Sequence, residues 1–210
     1  MGDRYESIFS SRQKPATALG RCAVALATLP IVAAHRPDAV VIWFDAHADL
    51  NTPQETTTGY LGGLALSGPL GRWNSGLGQG LAAHNAILVG ARDIDPSEQR
   101  LIDDGTIALV AVGPRMADDL AAAVARRPVY VHIDCDVLNP GIVPTDYHVP
   151  CGMTLDQLHS CAEALSRSEV VGIEIGELET DEHADPAADP YEPSARLAKA
   201  LHPILRALRS

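Results

Sequence analysis

DAVVIWFDAHAD, residues 38–49, is an almost unbroken apolar and β-branched run that stops at Asp45, His47 and Asp49. A run with no polar alternation suits a strand covered on both faces, as in a parallel sheet, better than one with a wet face. Three more runs share that character: NAILVG at 85–90, VYVHID at 129–134 and VVGIEI at 170–175. Weaker runs, Thr17 to Leu19 and Ile107 to Val112, can add strands. Helical composition separates the runs at 115–127 and 154–167, and RLAKALHPILRAL at 196–208 has the 3.6-residue period of a closing amphipathic helix. The alternation predicts an α/β fold. At 210 residues the chain reads as a single domain, residues 1–210, with no internal repeat.

Composition removes several functions. Sixteen basic against 27 acidic side chains leave a net charge of −11 with no Lys/Arg cluster, which would repel phosphate backbones, so nucleic acid is not an expected partner. No apolar run approaches the roughly 18 residues that span a bilayer, and MGDRYESIFSSRQK is too polar for a signal peptide, so the expectation is no membrane contact and a cytoplasmic location. Cys22, Cys135, Cys151 and Cys161 form no CxxC pair, and no structural disulfide is expected. The eight glycines and the TTT tract between Asn51 and Gly80 fit a long functional loop over the carboxyl ends of the strands. The acidic, proline-rich DEHADPAADPYEP at 181–193 reads as a solvated connection to the last helix.

Chemistry concentrates where buried strands end. In extended geometry Asp45, His47 and Asp49 share a face, and Asp134 and Asp136 likewise aim to one side with Cys135 opposite. Carboxylates gathered at the end of an apolar strand are costly without a cation. Five oxygen and imidazole donors from two strands fit a pair of divalent ions, and this carboxylate-rich mixture suits Mn²⁺ better than a thiolate zinc site. His35, His84, His159 and His202 read as surface or packing residues, His132 as a supporting or core residue, and Cys151 and Cys161 as small hydrophobes.

WFDAHADLNTP, TTTGYLGG, HIDCDVLNPGIVP and GIEIGELE, in that order and spacing over about residues 17–205, resemble the motif series of the ureohydrolase family of arginases, agmatinases and formiminoglutamases. The resemblance implies a three-layer α/β/α sandwich with a mostly parallel sheet. It also implies a binuclear manganese hydrolase that releases urea or an analogue from a guanidino or formimino group. Carried over by position, Asp45, His47, Asp49, Asp134 and Asp136 are metal ligands, with Asp45 and Asp134 bridging. Asp49 and Glu177 are the expected catalytic carboxylates, Glu177 orienting the guanidinium and Glu174 lying in the same motif. A metal-bound water becomes hydroxide near neutral pH and can attack a guanidino carbon, while a carboxylate holds the planar group through charge-assisted hydrogen bonds.

The departures carry as much information. Where the family has GGDHS with a metal-binding histidine, this chain has Gly20-Arg21-Cys22-Ala23-Val24, so Cys22 takes the ligand position with a sulfur that suits Mn²⁺ poorly, and one or two ions per chain are expected. Gly62 stands where arginases place a proton-shuttling histidine. Both features are shared with the Nω-hydroxyarginine hydrolases, whose substrate is less basic and needs less proton delivery to its leaving group. Asn51 and Thr58 match the positions that hold the substrate α-carboxylate, with Tyr60 replacing an asparagine, and Asp95 matches the contact to the α-amino group. The expected reaction is hydrolysis of Nω-hydroxyarginine to hydroxyurea and ornithine by metal-bound hydroxide. The alternatives are an arginase or agmatinase-type amidinohydrolase, or a degenerate non-catalytic member. A metallophosphoesterase would need GNH[DE] and GHxH elements, which are absent. Relatives of this family run longer at the amino end, so a shortened amino end is expected to leave a sheet edge that needs cover, and homo-oligomers are the expected assembly.

Overall fold

The computed structural model describes residues 1–180, 189 and 191–209. Six strands form one all-parallel sheet in the order β1-β6-β5-β2-β3-β4: β1 Ala16–Ala18, β2 Val40–Phe44, β3 Ala86–Val89, β4 Ala108–Val110, β5 Val129–Asp134 and β6 Val170–Gly176. Every residue of β2, β3 and β5 is buried, as the unbroken apolar runs require. The two edge strands, β1 and β4, are only three residues long, which limits the unpaired backbone they offer.

Alternation along β2 feeds two separate cores, one on each face. Val40, Ile42 and Phe44 join Val129, Val131 and Ile133 under α4 (Met116–Val124), α5 (Leu155–Leu165), α6 (Glu192–Ala200) and α7 (His202–Ala207). Val41 and Trp43 join Leu88, Tyr130 and Val171 under α1 (Gly2–Ser10) and α2 (Ala25–His35), with α3 (Pro96–Asp103) at the side of the same core. The result is the α/β/α sandwich that the resemblance implied, with the sheet wholly rather than mostly parallel.

Element ends follow local chemistry. The Thr154 hydroxyl accepts Gln157 N at 3.1 Å while Gln157 Oε1 accepts Thr154 N at 2.9 Å, so α5 begins in a reciprocal cap. The single closing helix expected over 196–208 is instead two helices that break at Leu201, because Pro203 lacks the N–H that would bond back to Lys199 and its ring crowds that carbonyl. Cys151, expected among the hydrophobes, is exposed in a left-handed turn at φ 63°, whereas Cys161 is fully buried. Of the segment at 181–193, residues 181–188 and 190 lie outside the described residues, and Glu192 and Pro193 already belong to α6. No helix among the described residues is long and apolar enough to cross a membrane.

Chain order fixes where a ligand can sit. From β2 the chain runs outward to β3 and β4, then returns to β5 on the other side of β2 and moves out to β6. The connections after β2 and β5 therefore diverge, opening a crevice at their carboxyl ends.

Candidate active site

In register, Phe44 pairs with Ile133 and Asp134 with Gly176, so β2, β5 and β6 all end at one level. Just beyond lies a cleft of about 270 Å³, lined by Cys22, His47, Asp49, Asn51, Thr58, Tyr60, Gly62, Asp95, Asp134, Asp136 and Glu177, among others. Asp45 is buried behind it, with its carboxylate accepting Trp43 Nε1 at 3.1 Å and His47 N at 2.7 Å.

The convergence is not the extended alternation expected from sequence. The strand stops at Phe44, Ala46 and His47 form a bend, and Asp49 sits at φ 53°. That left-handed residue is held by its own carbonyl, which accepts Leu66 N and Ser67 N, both at 3.1 Å. Asp136 likewise lies in the 3-10 turn Cys135–Val137, where its N–H donates to Asp134 Oδ1 at 2.8 Å. Cys135 faces the opposite core as expected.

Two groups of potential metal donors result in the cleft, and a third, Asp146, Glu177 and Glu179, surrounds Arg21. Asp45, His47 and Asp136 place donor atoms within 4.8 Å of one another, and so do Cys22, Asp134 and Glu177. Asp49 lines the cleft beside them. Cys22 Sγ donates to Asp134 Oδ2 at 3.0 Å and lies 3.1 Å from His132 Nε2. His132, stacked on Trp43 at 3.5 Å, contacts Glu174 Oε1 through Nδ1 at 2.7 Å, and Glu174 Oε2 in turn accepts from Thr28 and Tyr130, each at 2.8 Å. Glu174 is thus fully buried under the site and does not line the cleft.

Electrostatics show what this arrangement needs. Burial first, and then like charge, pushes up three carboxyls: Asp49 and Asp134 well up, with Asp45 the leading charge, and Asp45 up, with Asp136 the leading charge. Burial opposes a charge on His47, yet Asp136 and Asp45 outweigh it and lift the imidazole to about 12. Asp136 Oδ2 is buried without a hydrogen bond, although His47 Nδ1 approaches to 3.1 Å. A buried carboxylate oxygen left without a donor, inside a group that holds protons for want of positive charge, fits a divalent cation. The donors are mostly hard oxygen and nitrogen, as Mn²⁺ prefers, with Cys22 the soft exception.

A pH dependence follows with a definite sign. Asp45, Asp49, Asp134 and His47 all bind protons more tightly folded than unfolded, while Asp136 goes the other way, its burial outweighed by the neighbouring His47. On balance the folded cluster holds extra protons and loses stability as pH rises. With a chelator present, the melting temperature should fall as pH rises from about 4 for the carboxyls, and further above about 6.5 for the histidine. Added Mn²⁺ should flatten the slope. Calorimetric melts across pH, with and without the ion, check this; a chelated protein whose melting temperature climbs steadily from pH 5 to 8 would contradict it.

The residues expected at the substrate end, Asn51, Thr58 and Asp95, also line the cleft. Asn51 Nδ2 donates to Asp95 Oδ2 at 2.7 Å, and Asn51 Oδ1 accepts Ser97 Oγ at 2.9 Å. Thr58 Oγ1 accepts Tyr60 N at 3.2 Å in the glycine-rich loop. Sequence reasoning passed over Glu98, which is buried and pins the turn after Asp49 to α3 by accepting Leu50 N and Asp95 N, both at 2.8 Å. The D-P-S-E spacing from Asp95 was a legible capping box. Tyr147, edge-on to His47 at 5.3 Å, and Arg21, paired with Glu177, had no sequence signal.

Known proteins match this chain over most of its length. The arginase family model covers residues 1–202. The Nω-hydroxy-L-arginine amidinohydrolase of Streptomyces lavendulae is 48% identical over 157 residues, 75% of this chain and 58% of that protein. The arginase of Glaciozyma antarctica is 29% identical over 199 residues, 85% of this chain and again 58% of the relative. The chain thus spans well under two thirds of the length of these relatives. In structure, the arginase of Bacillus cereus superposes with a TM-score of 0.83 over 97% of this chain and 75% of its own, at 24% identity, which speaks to fold alone. A family match running through nearly every residue, on the sheet that carries the acidic cleft, establishes descent: this chain belongs to the arginase family.

Proposed function

We propose that the protein is a manganese-dependent hydrolase that cleaves a C–N bond of Nω-hydroxyarginine, giving hydroxyurea and ornithine. The observation that carries this reading is the cleft itself: a carboxylate cluster at the strand ends, with Cys22 at its edge and Gly62 where a shuttling side chain would be needed for a strongly basic substrate. The 48% identity to a protein named for that activity supports it.

Asp45, His47, Asp49, Asp134, Asp136 and Cys22 would hold one or two Mn²⁺ ions. Bound Mn²⁺ supplies Lewis-acid activation of water near neutral pH. The rest falls to side chains. Glu177 accepts N–H groups of the planar hydroxyguanidine and fixes its carbon toward the cluster. Asp49, which lines the cleft, takes the proton from the attacking water at its carboxylate in its ionised form. Asn51 and Thr58 receive the α-carboxylate and Asp95 the α-amino group, so an amino acid fits better than agmatine, which has no carboxylate.

Side-by-side kinetics with Nω-hydroxyarginine, arginine and agmatine in added Mn²⁺ test the reading. The expected order of kcat/KM is hydroxyarginine, then arginine, then agmatine. Arginine turning over as fast as its hydroxylated form removes the substrate assignment, and no release of urea, hydroxyurea or ornithine leaves a non-catalytic family member.

A further inference from the structure

Glu177, assigned above to the substrate's guanidino end, already faces a guanidinium of its own chain. Arg21 Nη1 lies 2.5 Å from Glu177 Oε2, and Arg21 Nη2 reaches Asp146 Oδ2 at 2.6 Å. Glu179 Oε1 stands 3.4 Å from Nη1. We propose that Arg21 is a specificity-determining residue, balancing the charge of Glu177 so that the cleft takes a neutral planar hydroxyguanidine in preference to a cationic guanidinium. This inference rests on the hydroxyarginine reading and names the group that sets its charge selection.

The burial of the partners decides which charge matters. The Glu177 side chain is 5% exposed and lines the cleft, whereas the Asp146 side chain is 52% exposed. Water screens Asp146, but the field of Glu177 acts in a cleft where screening is weak. Arg21 spans from that buried carboxylate to the exposed one, with a side chain itself 45% exposed. Within the cleft, its main effect is therefore on Glu177.

Glu177 stays able to bind substrate. Its Oε1 accepts Cys22 N at 3.0 Å and its Oε2 accepts Arg21, and a carboxylate offers about four acceptor sites, so about two remain for N–H groups of a ligand. What Arg21 removes is the charge-assisted part of that binding. A guanidinium loses that part and meets a like charge at the same carboxylate. An N-hydroxyguanidine, made less basic by its electron-withdrawing oxygen, binds neutral and loses neither. Gly62 fits the same substrate at the proton-transfer step, and Arg21 acts earlier, at binding.

The test compares parent, Arg21→Met and Arg21→Lys, each in added Mn²⁺. Calorimetric titration uses two unreactive amino acids of similar reach, L-lysine with a cationic end and L-citrulline with a planar neutral one. Arg21→Met should tighten L-lysine about tenfold and change L-citrulline by less than about threefold, since a charge-assisted bond is roughly twice a neutral one. Arg21→Lys, which keeps the positive charge beside Glu177 but gives up the fork that spans to Asp146, should shift L-lysine by less than about threefold and so fall clearly short of Arg21→Met. The ratio of kcat/KM for hydroxyarginine to that for arginine should fall about tenfold in Arg21→Met alone. If both ligands shift together, or L-lysine fails to tighten, Arg21 is structural and the inference is wrong. A parent that binds neither ligand at millimolar concentration also overturns it. Binding that shifts as expected without any hydrolysis keeps the charge selection and removes the hydrolase reading, whereas hydrolysis with an unshifted ratio removes only the charge selection.

Discussion

Asp134→Ala should strip the protein of nearly all bound manganese and lower turnover by at least about 10³-fold. Asp134 lies between the two donor groups: its Oδ2 receives the Cys22 thiol and its Oδ1 the amide of Asp136. Removing it takes a carboxylate from the Cys22 group directly and frees the turn that holds Asp136 in the other. In the chelated protein two effects oppose each other. Loss of Asp134 relieves its burial and its repulsion by Asp45 and Asp136 but gives up the hydrogen bonds from Cys22 and the Asp136 amide, so the melting temperature should change little. Elemental analysis and paired melts read both arms. Unchanged manganese content would remove Asp134 from the metal site, and a large drop in the chelated melting temperature would show that it serves packing instead.

The second large effect needs two substitutions. Gly62→His alone should not create an arginine hydrolase, because a Cβ at Gly62 would collide with the Tyr60 ring, whose Cζ would stand only 2.8 Å away. Tyr60 thus covers the position where the resemblance to arginases expects a shuttling imidazole. Gly62 has an ordinary negative φ, so its backbone accepts a side chain once the ring is gone. Tyr60→Asn with Gly62→His should therefore raise kcat for arginine by about 10²-fold, the lower end of general acid catalysis, while hydroxyarginine gains far less. Steady-state kinetics on the two single variants and the double variant check the coupling. Equal gains from Gly62→His alone would show that Tyr60 yields freely, and no gain in the double variant would mean that proton delivery does not limit arginine.

Elements were legible where local pattern and burial agreed. The strand runs at 40–44, 86–89, 129–134 and 170–176 announced themselves because a strand covered on both faces is apolar except where a buried polar side chain finds a partner, as His132 and Glu174 do in each other. The helices α1, α2 and α3 were not foreseen. Pro30 lies inside α2 and reads locally as a breaker, yet seven of the eleven residues of that helix are buried, Pro30 itself among them, and packing there outweighs the lost backbone bond. In α1 a polar stretch folds around the single buried Tyr5.

By itself, the sequence determined a parallel α/β sheet and the carboxylates and histidine that follow two of its strands, because an apolar run that stops at charged residues marks where a buried strand ends. Tertiary structure alone decided the rest of the site. Arg21 meets Glu177 across 156 positions, Cys22 meets His132 across 110, and His132 meets Glu174 across 42. The left-handed turn at Asp49 is held by amides of Leu66 and Ser67, and Tyr60 lies over Gly62 only in the folded loop. These contacts depend on the order β1-β6-β5-β2-β3-β4, which brings the ends of distant segments side by side. Local periodicity carries the direction of each side chain from its own backbone, but strand order is a property of the whole chain's packing, and the charges that tune this cleft are set there.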